Sequence, residues 1–83
     1  MARVIERAQT GVRVEKSLLK VLKALAEYCD LSLGDLLEGI VLHAFEGKAP
    51  LSPATRKVID ELKRVYGCDL TAADSHTLQE RAQ

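Results

Sequence analysis

The stretch that decides the fold is residues 9–45, which read QTGVRVEKSLLKVLKALAEYCDLSLGDLLEGIVLHAF. It begins with a short alternating segment, residues 9–14, and continues into two apolar-striped helical patterns joined by a tight turn. One strand of this length is too short to form a sheet, and the helices are too apolar to stand alone in water. The pattern therefore predicts a unit completed by a second copy, with strand pairing to strand and helices packing on helices.

The alternating segment presents two different faces, because successive side chains of a strand point in opposite directions. The apolar or β-branched face consists of Thr10, Val12 and Val14. The polar face, which carries an amide and a cation, consists of Gln9, Gly11 and Arg13. We expect the first face to be buried and the second to face outward.

Apolar periodicity predicts a first helix over about residues 16–28 and a second from residue 33 to about residue 46. Ser32 is the expected cap of the second helix, with Asp35 completing a shorter-acid version of the capping box. The residues predicted to form the core or a dimer seam are Val12, Val14, Leu18, Leu22, Leu25, Leu36, Leu37, Ile40 and Val41. Gly34 and Gly39 each cost about 1 kcal/mol relative to Ala in a helix, which predicts close approach of a neighbouring helix or a ligand.

A third helix is predicted over residues 53–66, with Ser52 as its cap, Pro53 at its first position and Gly67 at its end. Thr71 and Asp74 predict a short last helix through about residue 80. These C-terminal helices either extend the core of the dimer or form a separate surface for a protein partner.

Composition limits the classes of function. The 83 residues suit one domain, apolar residues make up 47%, and the net charge is zero. Residues 1–26 hold six basic and two acidic residues, so the basic excess lies around the strand and the first helix. Two lone cysteines favour reduced thiols in a cytoplasmic protein, and neither a signal peptide nor a membrane span of about 20 apolar residues is expected.

Catalytic and metal-binding patterns are not evident. We find no Ser-His-Asp order with a supporting motif, no glycine-rich phosphate loop and no carboxylate pair in a cleft. His43, Cys68, Asp74 and His76 lack the spacing of a zinc site. We therefore expect neither an enzyme nor a bound metal or cofactor.

The order of strand, helix, turn and helix in residues 9–45 resembles the ribbon-helix-helix family of DNA-binding proteins, the Arc and MetJ type. The resemblance is carried by residues 9–14, by the direct entry into the first helix at residues 15–19, and by the capped start of the second helix at residues 32–35. It implies a mainly α fold with one short strand, forming an intertwined homodimer. Residues 1–8 would be a flexible arm, 9–46 the ribbon-helix-helix domain, 47–51 a linker and 52–83 a C-terminal helical extension.

The function that this resemblance implies is sequence-specific transcription regulation by a bacterial-type repressor, with an antiparallel β-ribbon in the major groove of double-stranded DNA. The implied base-contacting positions are Gln9, Gly11 and Arg13. The implied phosphate contacts are Lys16 and the start of the second helix, Ser32, Leu33 and Gly34. Neutral net charge, Gly11 and Asp35 motivate the alternative of a protein-interaction or dimerisation module that does not bind DNA.

Overall fold

The computed structural model describes residues 3–81, so the first two residues of the predicted arm and the last two of the predicted extension lie outside the described residues. The chain contains helices α1 (Lys16–Tyr28), α2 (Leu33–Phe45) and α3 (Pro53–Tyr66), followed by a 3₁₀ turn (Ala72–Asp74). The three predicted helices are thus confirmed, and their bounds lie within a residue of those expected from capping and periodicity.

The predicted fold class is wrong, because no β-strand occurs within residues 3–81. Residues 9–14 form neither helix nor strand, and Val12, expected to be buried, is 74% exposed. A strand needs a neighbouring strand to satisfy its backbone N–H and C=O groups, and alternation along the sequence does not supply one. The described chain is therefore a small all-helical fold and not a ribbon-helix-helix fold.

Helices α2 and α3 begin as their sequences predict. The Ser32 hydroxyl accepts a hydrogen bond from the Asp35 amide at 3.1 Å, and the Ser52 hydroxyl accepts one from the Thr55 amide at 3.2 Å. Pro53 occupies the start of α3, where its missing N–H costs nothing. Each cap satisfies one of the amides that have no partner inside the helix.

Helix α1 begins with an acidic cap that the sequence reading did not single out. A Glu15 carboxylate oxygen accepts hydrogen bonds from the Ser17 hydroxyl at 2.6 Å and the Leu18 amide at 2.9 Å. The Ser17 hydrogen bond, followed by those from backbone amides, lowers the pKa of Glu15 below its ordinary value. A negative charge at this position also suits the positive end of the helix dipole.

The three helices end in the same way, on a residue with left-handed backbone. These residues are Asp30 (φ 56°), Gly47 (φ 70°) and Gly67 (φ 66°). After α1, the Leu31 amide donates to the Ala26 carbonyl at 2.9 Å, which closes the turn that leads into α2. The glycines were predicted as helix stops, whereas Asp30 adopts a conformation that costs a residue with a Cβ more than it costs glycine.

The core lies between α1 and α3, with Leu36 and Ile40 contributed by α2. Its buried centre is Leu25, Ala26 and Leu36. The half-buried residues packed around this centre are Leu22, Cys29, Ile40, Val58, Ile59 and Leu62. Helix α1 packs more extensively on α3 than on α2. The C-terminal helix therefore provides the main partner of α1 within the chain.

Two further sequence expectations need correction. The last helix does not run to residue 80 but is one 3₁₀ turn, because His76 takes a left-handed conformation (φ 66°) just beyond it. Of the nine predicted core or seam residues, only Leu25 and Leu36 are buried, and Leu22 and Ile40 are half-buried. The exposed members of the set are Val12, Val14, Leu18, Leu37 and Val41.

Candidate interaction surface

Helix α2 is the most apolar of the three helices, yet Leu36 is its only buried residue. Its exposed apolar side chains include Leu37, Val41, Leu42 and Phe45, and Phe45 is 80% exposed. Single exposed apolar residues are ordinary on a protein surface, but neighbouring ones on one helix are not.

Four residues of α2 form one continuous strip, here called the α2 face: Gly34, Leu37, Val41 and Phe45. Spacings of three and four residues keep them within an arc of about 80° around the helix axis, since each residue advances the helix by about 100°. The strip is about 16 Å long at 1.5 Å per residue. The buried Leu36 lies about 100° from Leu37 and about 180° from Phe45 around the helix, so the α2 face is distinct from the side of α2 that packs on the core.

Within the described chain, nothing packs closely enough against the two glycines of α2 to require a residue without a side chain. A Cβ on Gly34 would meet only the Ser32 hydroxyl oxygen, at 4.0 Å, and a Cβ on Gly39 would meet nothing within 4 Å. The close approach predicted for both positions is therefore not made by residues 3–81. Gly34 leaves a shallow depression at one end of the α2 face, with the large Phe45 side chain at the other end.

The solvent-accessible area of the chain is larger than that of a compact protein of the same mass. Its solvent-accessible area is 7528 Å². A compact monomer of 9.1 kDa exposes about 4900 Å² by the usual scaling of area with mass. The radius of gyration is 14.2 Å, against about 12 Å for a compact chain of 83 residues. Every described residue before α1 is exposed, and so are most residues of α2.

Charged side chains border the α2 face, and Glu38 lies within about 20° of Phe45 around the helix. Arg7 Nη2 lies 3.0 Å from Asp35 Oδ1 and 2.9 Å from Glu38 Oε1, and Arg7 Nε donates to Glu38 Oε2 at 3.1 Å. The hydrogen bond from Arg7 lowers the pKa of Glu38, and the same bond and charge raise the pKa of Arg7. All three side chains are exposed, so the pairs orient the segment before α1 more than they stabilise the fold.

The predicted base-contacting residues lie together in the segment before α1. Gln9, Gly11 and Arg13 are all exposed, and nothing within 4 Å would touch a Cβ on Gly11. Arg13 Nε lies 3.1 Å from Glu80 Oε1. Exposure leaves these residues available to a ligand, while the ion pair engages the cation of Arg13 within the chain.

The predicted phosphate-contacting residues are divided between two helix starts. Lys16 is exposed at the first position of α1, and Gly34 is exposed in the first turn of α2. Leu33 is half-buried, and the Ser32 hydroxyl is occupied by the Asp35 amide. The charged groups at the start of α2 are the Asp35 carboxylate and its partner Arg7. These two residues lie 28 positions apart in the sequence, so no local pattern predicts their contact.

An open apolar groove of about 360 Å³ lies between the helices, with Leu18, Leu22, Ile40 and Ile59 among its lining residues. Within residues 3–81, no three His, Cys, Asp or Glu side chains come together in a way that could hold a metal ion. His43 Nδ1 lies 2.7 Å from the Gly39 carbonyl oxygen of its own helix. In the same part of the chain, no helix has the length and apolar character needed to cross a bilayer.

The chain matches no protein-family model, no curated protein and no solved structure. The surfaces open to a partner are the α2 face, the charged side chains beside it and the basic side of α1.

Proposed function

We propose that this chain is a protein-interaction module that docks through the α2 face. The observation that carries the proposal is the exposure of apolar side chains on the most apolar helix of the chain. Burying apolar area contributes about 25 cal/mol per Å², and an aromatic side chain such as Phe45 buries about 150–250 Å² when fully covered. A partner that covers Phe45 and its neighbours removes their apolar area from water, and this burial contributes favourably to the free energy of binding.

The surroundings of the α2 face suit a protein interface. Stable interfaces combine an apolar centre that excludes charge with a polar rim. Leu37, Val41 and Phe45 supply the apolar part of such an interface, while Glu38 borders it and is compensated by Arg7 of the same chain. A partner on α2 must therefore leave the Arg7–Glu38 pair hydrated or offer it a polar group.

Affinity capture with matched baits tests this function. Val41→Glu places a charge in the α2 face, and Val65→Glu places the same charge on α3, where Val65 is 72% exposed. Both positions are exposed, so circular dichroism should show the helical content of the wild type. We expect wild type and Val65→Glu to retain the same polypeptide, either another copy of the chain or a different protein, and Val41→Glu to lose it. Identical capture by all three baits would contradict docking through α2.

Double-stranded DNA binding is the second candidate function, and a specific observation favours it. Lys16, Lys20 and Lys23 form an exposed ridge along α1, and the segment just before it carries Arg13. Such a ridge is suited to phosphate contacts, which are independent of sequence. This candidate uses the basic side of α1 and requires no β-ribbon.

The salt dependence of binding separates the two functions. A fluorescence-anisotropy titration with duplex DNA should give log K falling with log salt by about 0.9 per phosphate neutralised. Lys20→Gln should make this slope shallower by about 1, as expected for the loss of one phosphate contact, whereas Val41→Glu should leave the slope unchanged. Absence of binding at low salt would remove DNA as a ligand and leave the interaction module untouched.

A further inference from the structure

We infer that the open apolar groove between the helices binds a free fatty carboxylate, with the alkyl chain in the groove and the carboxylate on Lys63. Residues of α1, of α3 and of the turn after α3 line this groove, together with Ile40 of α2. Ile40 lies about 140° from Phe45 around the axis of α2, so the groove is separate from the α2 face. The inference therefore does not depend on the proposed function.

The groove has the size and lining of a site for a small apolar ligand. Val21 and Leu25 of α1 and Cys68, just beyond α3, line it and are buried. Leu22 and Ile59 line it and are half-buried. Its volume of about 360 Å³ falls within the range of about 300–1,000 Å³ that is usual for small-ligand sites, which are mostly apolar with a few polar groups.

A half-buried cation stands on the wall of the groove. Lys63 is the one charged side chain among the described residues that line it. The Lys63 ammonium donates a hydrogen bond to the Leu70 carbonyl oxygen at 2.7 Å, which holds the cation between α3 and the turn after it. An ammonium has three donors, so two remain for a ligand.

The described part of the chain supplies no counter-charge to this cation. Its ion pairs are those of Arg7, Arg13 and Lys48. A charge removed from water is favourable when an opposite charge binds it. A carboxylate on Lys63 would provide that charge and would accept charge-assisted hydrogen bonds from the ammonium.

The groove and the cation together select the class of ligand. An alkyl chain buries apolar area along the groove and brings no polar group except its head. A peptide would carry backbone N–H and C=O groups into a groove where Thr71 and Ser75 are the neutral side chains with a hydroxyl. A neutral lipid would leave Lys63 without a counter-charge. An unbranched chain with a single carboxylate uses both features.

Calorimetric titration of the purified full chain with decanoate tests the inference, and decanol is the matched probe without the charge. Decanoate should bind at one site per chain and at least about tenfold more tightly than decanol, because hydrogen bonds to charged groups are the stronger ones. Lys63→Gln should remove this advantage of decanoate and leave the affinity for decanol unchanged. Arg64→Gln removes the same charge from the next residue, which is exposed and outside the groove lining, and should leave both affinities unchanged. Equal loss of decanoate binding in the two variants would overturn the role of Lys63.

Two neighbouring alanines test the groove without altering charge. Ala72 and Ala73 are both exposed in the 3₁₀ turn, and of these two Ala72 lines the groove. Ala72→Trp should fill the groove and weaken both decanoate and decanol at least tenfold, whereas Ala73→Trp should weaken neither. Circular dichroism of both variants should show the helical content of the wild type. Equal affinities in the two variants would contradict binding in the groove, and this comparison holds even if Lys63→Gln disturbs the turn.

Amide chemical shifts locate the ligand. Decanoate should shift the amides of Ile59, Cys68 and Leu70 and leave those of Val41 and Phe45 in place. Shifts confined to the α2 face would overturn the inference, and so would groove shifts that appear on concentrating the chain without decanoate, because a second copy would then be the occupant. Loss of decanoate binding with protein capture intact would remove the groove site alone, whereas loss of capture with decanoate binding intact would remove only the proposed function.

Discussion

Helices α1 and α2 have equal lengths of 13 residues and similar polar starts, yet they use their apolar residues differently. Helix α1 is the less apolar of the two and buries Val21, Leu25 and Ala26. Helix α2 is richer in apolar residues and buries one. The difference lies in the partner, because α1 has the amphipathic α3 against it and α2 has no comparable cover within residues 3–81. Burial therefore follows the geometry of packing and not hydrophobicity alone.

The largest expected effect contrasts one leucine from each helix. Leu25→Ala removes a side chain that is 1% exposed and should cost about 2–5 kcal/mol of the free energy of unfolding. Leu42→Ala removes one that is 60% exposed and should change it by less than about 0.5 kcal/mol. Both variants are compared with the wild type by urea denaturation. Equal losses would show that α2 is as well packed as α1.

Amide hydrogen exchange sharpens the same contrast. In the isolated chain, α2 amides should exchange at least about tenfold faster than those of α1, because an element with few buried contacts opens at lower free energy. When the captured partner is bound, α2 should gain protection while α1 changes little. Uniform protection of both helices in the isolated chain would indicate a single cooperative unit that includes α2.

The helix caps offer a smaller, matched comparison. Ser32→Ala and Ser52→Ala each remove a hydroxyl that accepts an amide hydrogen bond and should each cost about 1 kcal/mol. The loss at Ser32 should appear mainly as faster exchange of α2, and the loss at Ser52 should appear in global unfolding, because α3 packs on α1. If DNA binds at the start of α2, Ser32→Ala should also weaken that binding uniformly across sequences. Unchanged exchange and stability in both variants would show that the caps are dispensable.

The smallest effect concerns pH. The folded-state pKa of Glu38 is lowered, so its pairing with Arg7 is complete above the ordinary value of about 4.3 and is lost as pH falls through the lowered value. Arg7→Gln should raise the pKa of Glu38 toward its ordinary range in a carboxyl NMR titration. Glu15, whose pKa is lowered chiefly by Ser17, should keep its value in that variant. An unshifted Glu38 in Arg7→Gln would assign its low pKa to another cause.

Local features of the sequence predicted the helices well. Ser32, Ser52, Gly47 and Gly67 mark helix starts and ends through interactions with backbone groups a few residues away. The wrong expectations concern longer-range structure. Residues 9–14 alternate like a strand, but forming one depends on a second strand, which no local pattern guarantees.

The candidate surface was only partly visible in the sequence. Leu37 and Val41 were predicted to be core or dimer seam. They are exposed and so do not belong to the core of the chain, and the dimer seam stays a prediction. The contacts of Arg7 with Asp35 and Glu38 join positions 28 and 31 residues apart, and neither end carries a motif. The DNA contacts at Gln9, Gly11 and Arg13 remain predictions.

The sequence by itself determined where the three helices begin and end and which side of each is apolar, because capping and periodicity act within about four residues. Only the tertiary structure decided which apolar sides are covered. Helix α3 packs on α1 and buries Leu25, whereas Phe45 on α2 stays in solvent. Covering a side chain requires another surface of matching shape at the right distance, and that is a property of the assembled helices and not of any one segment.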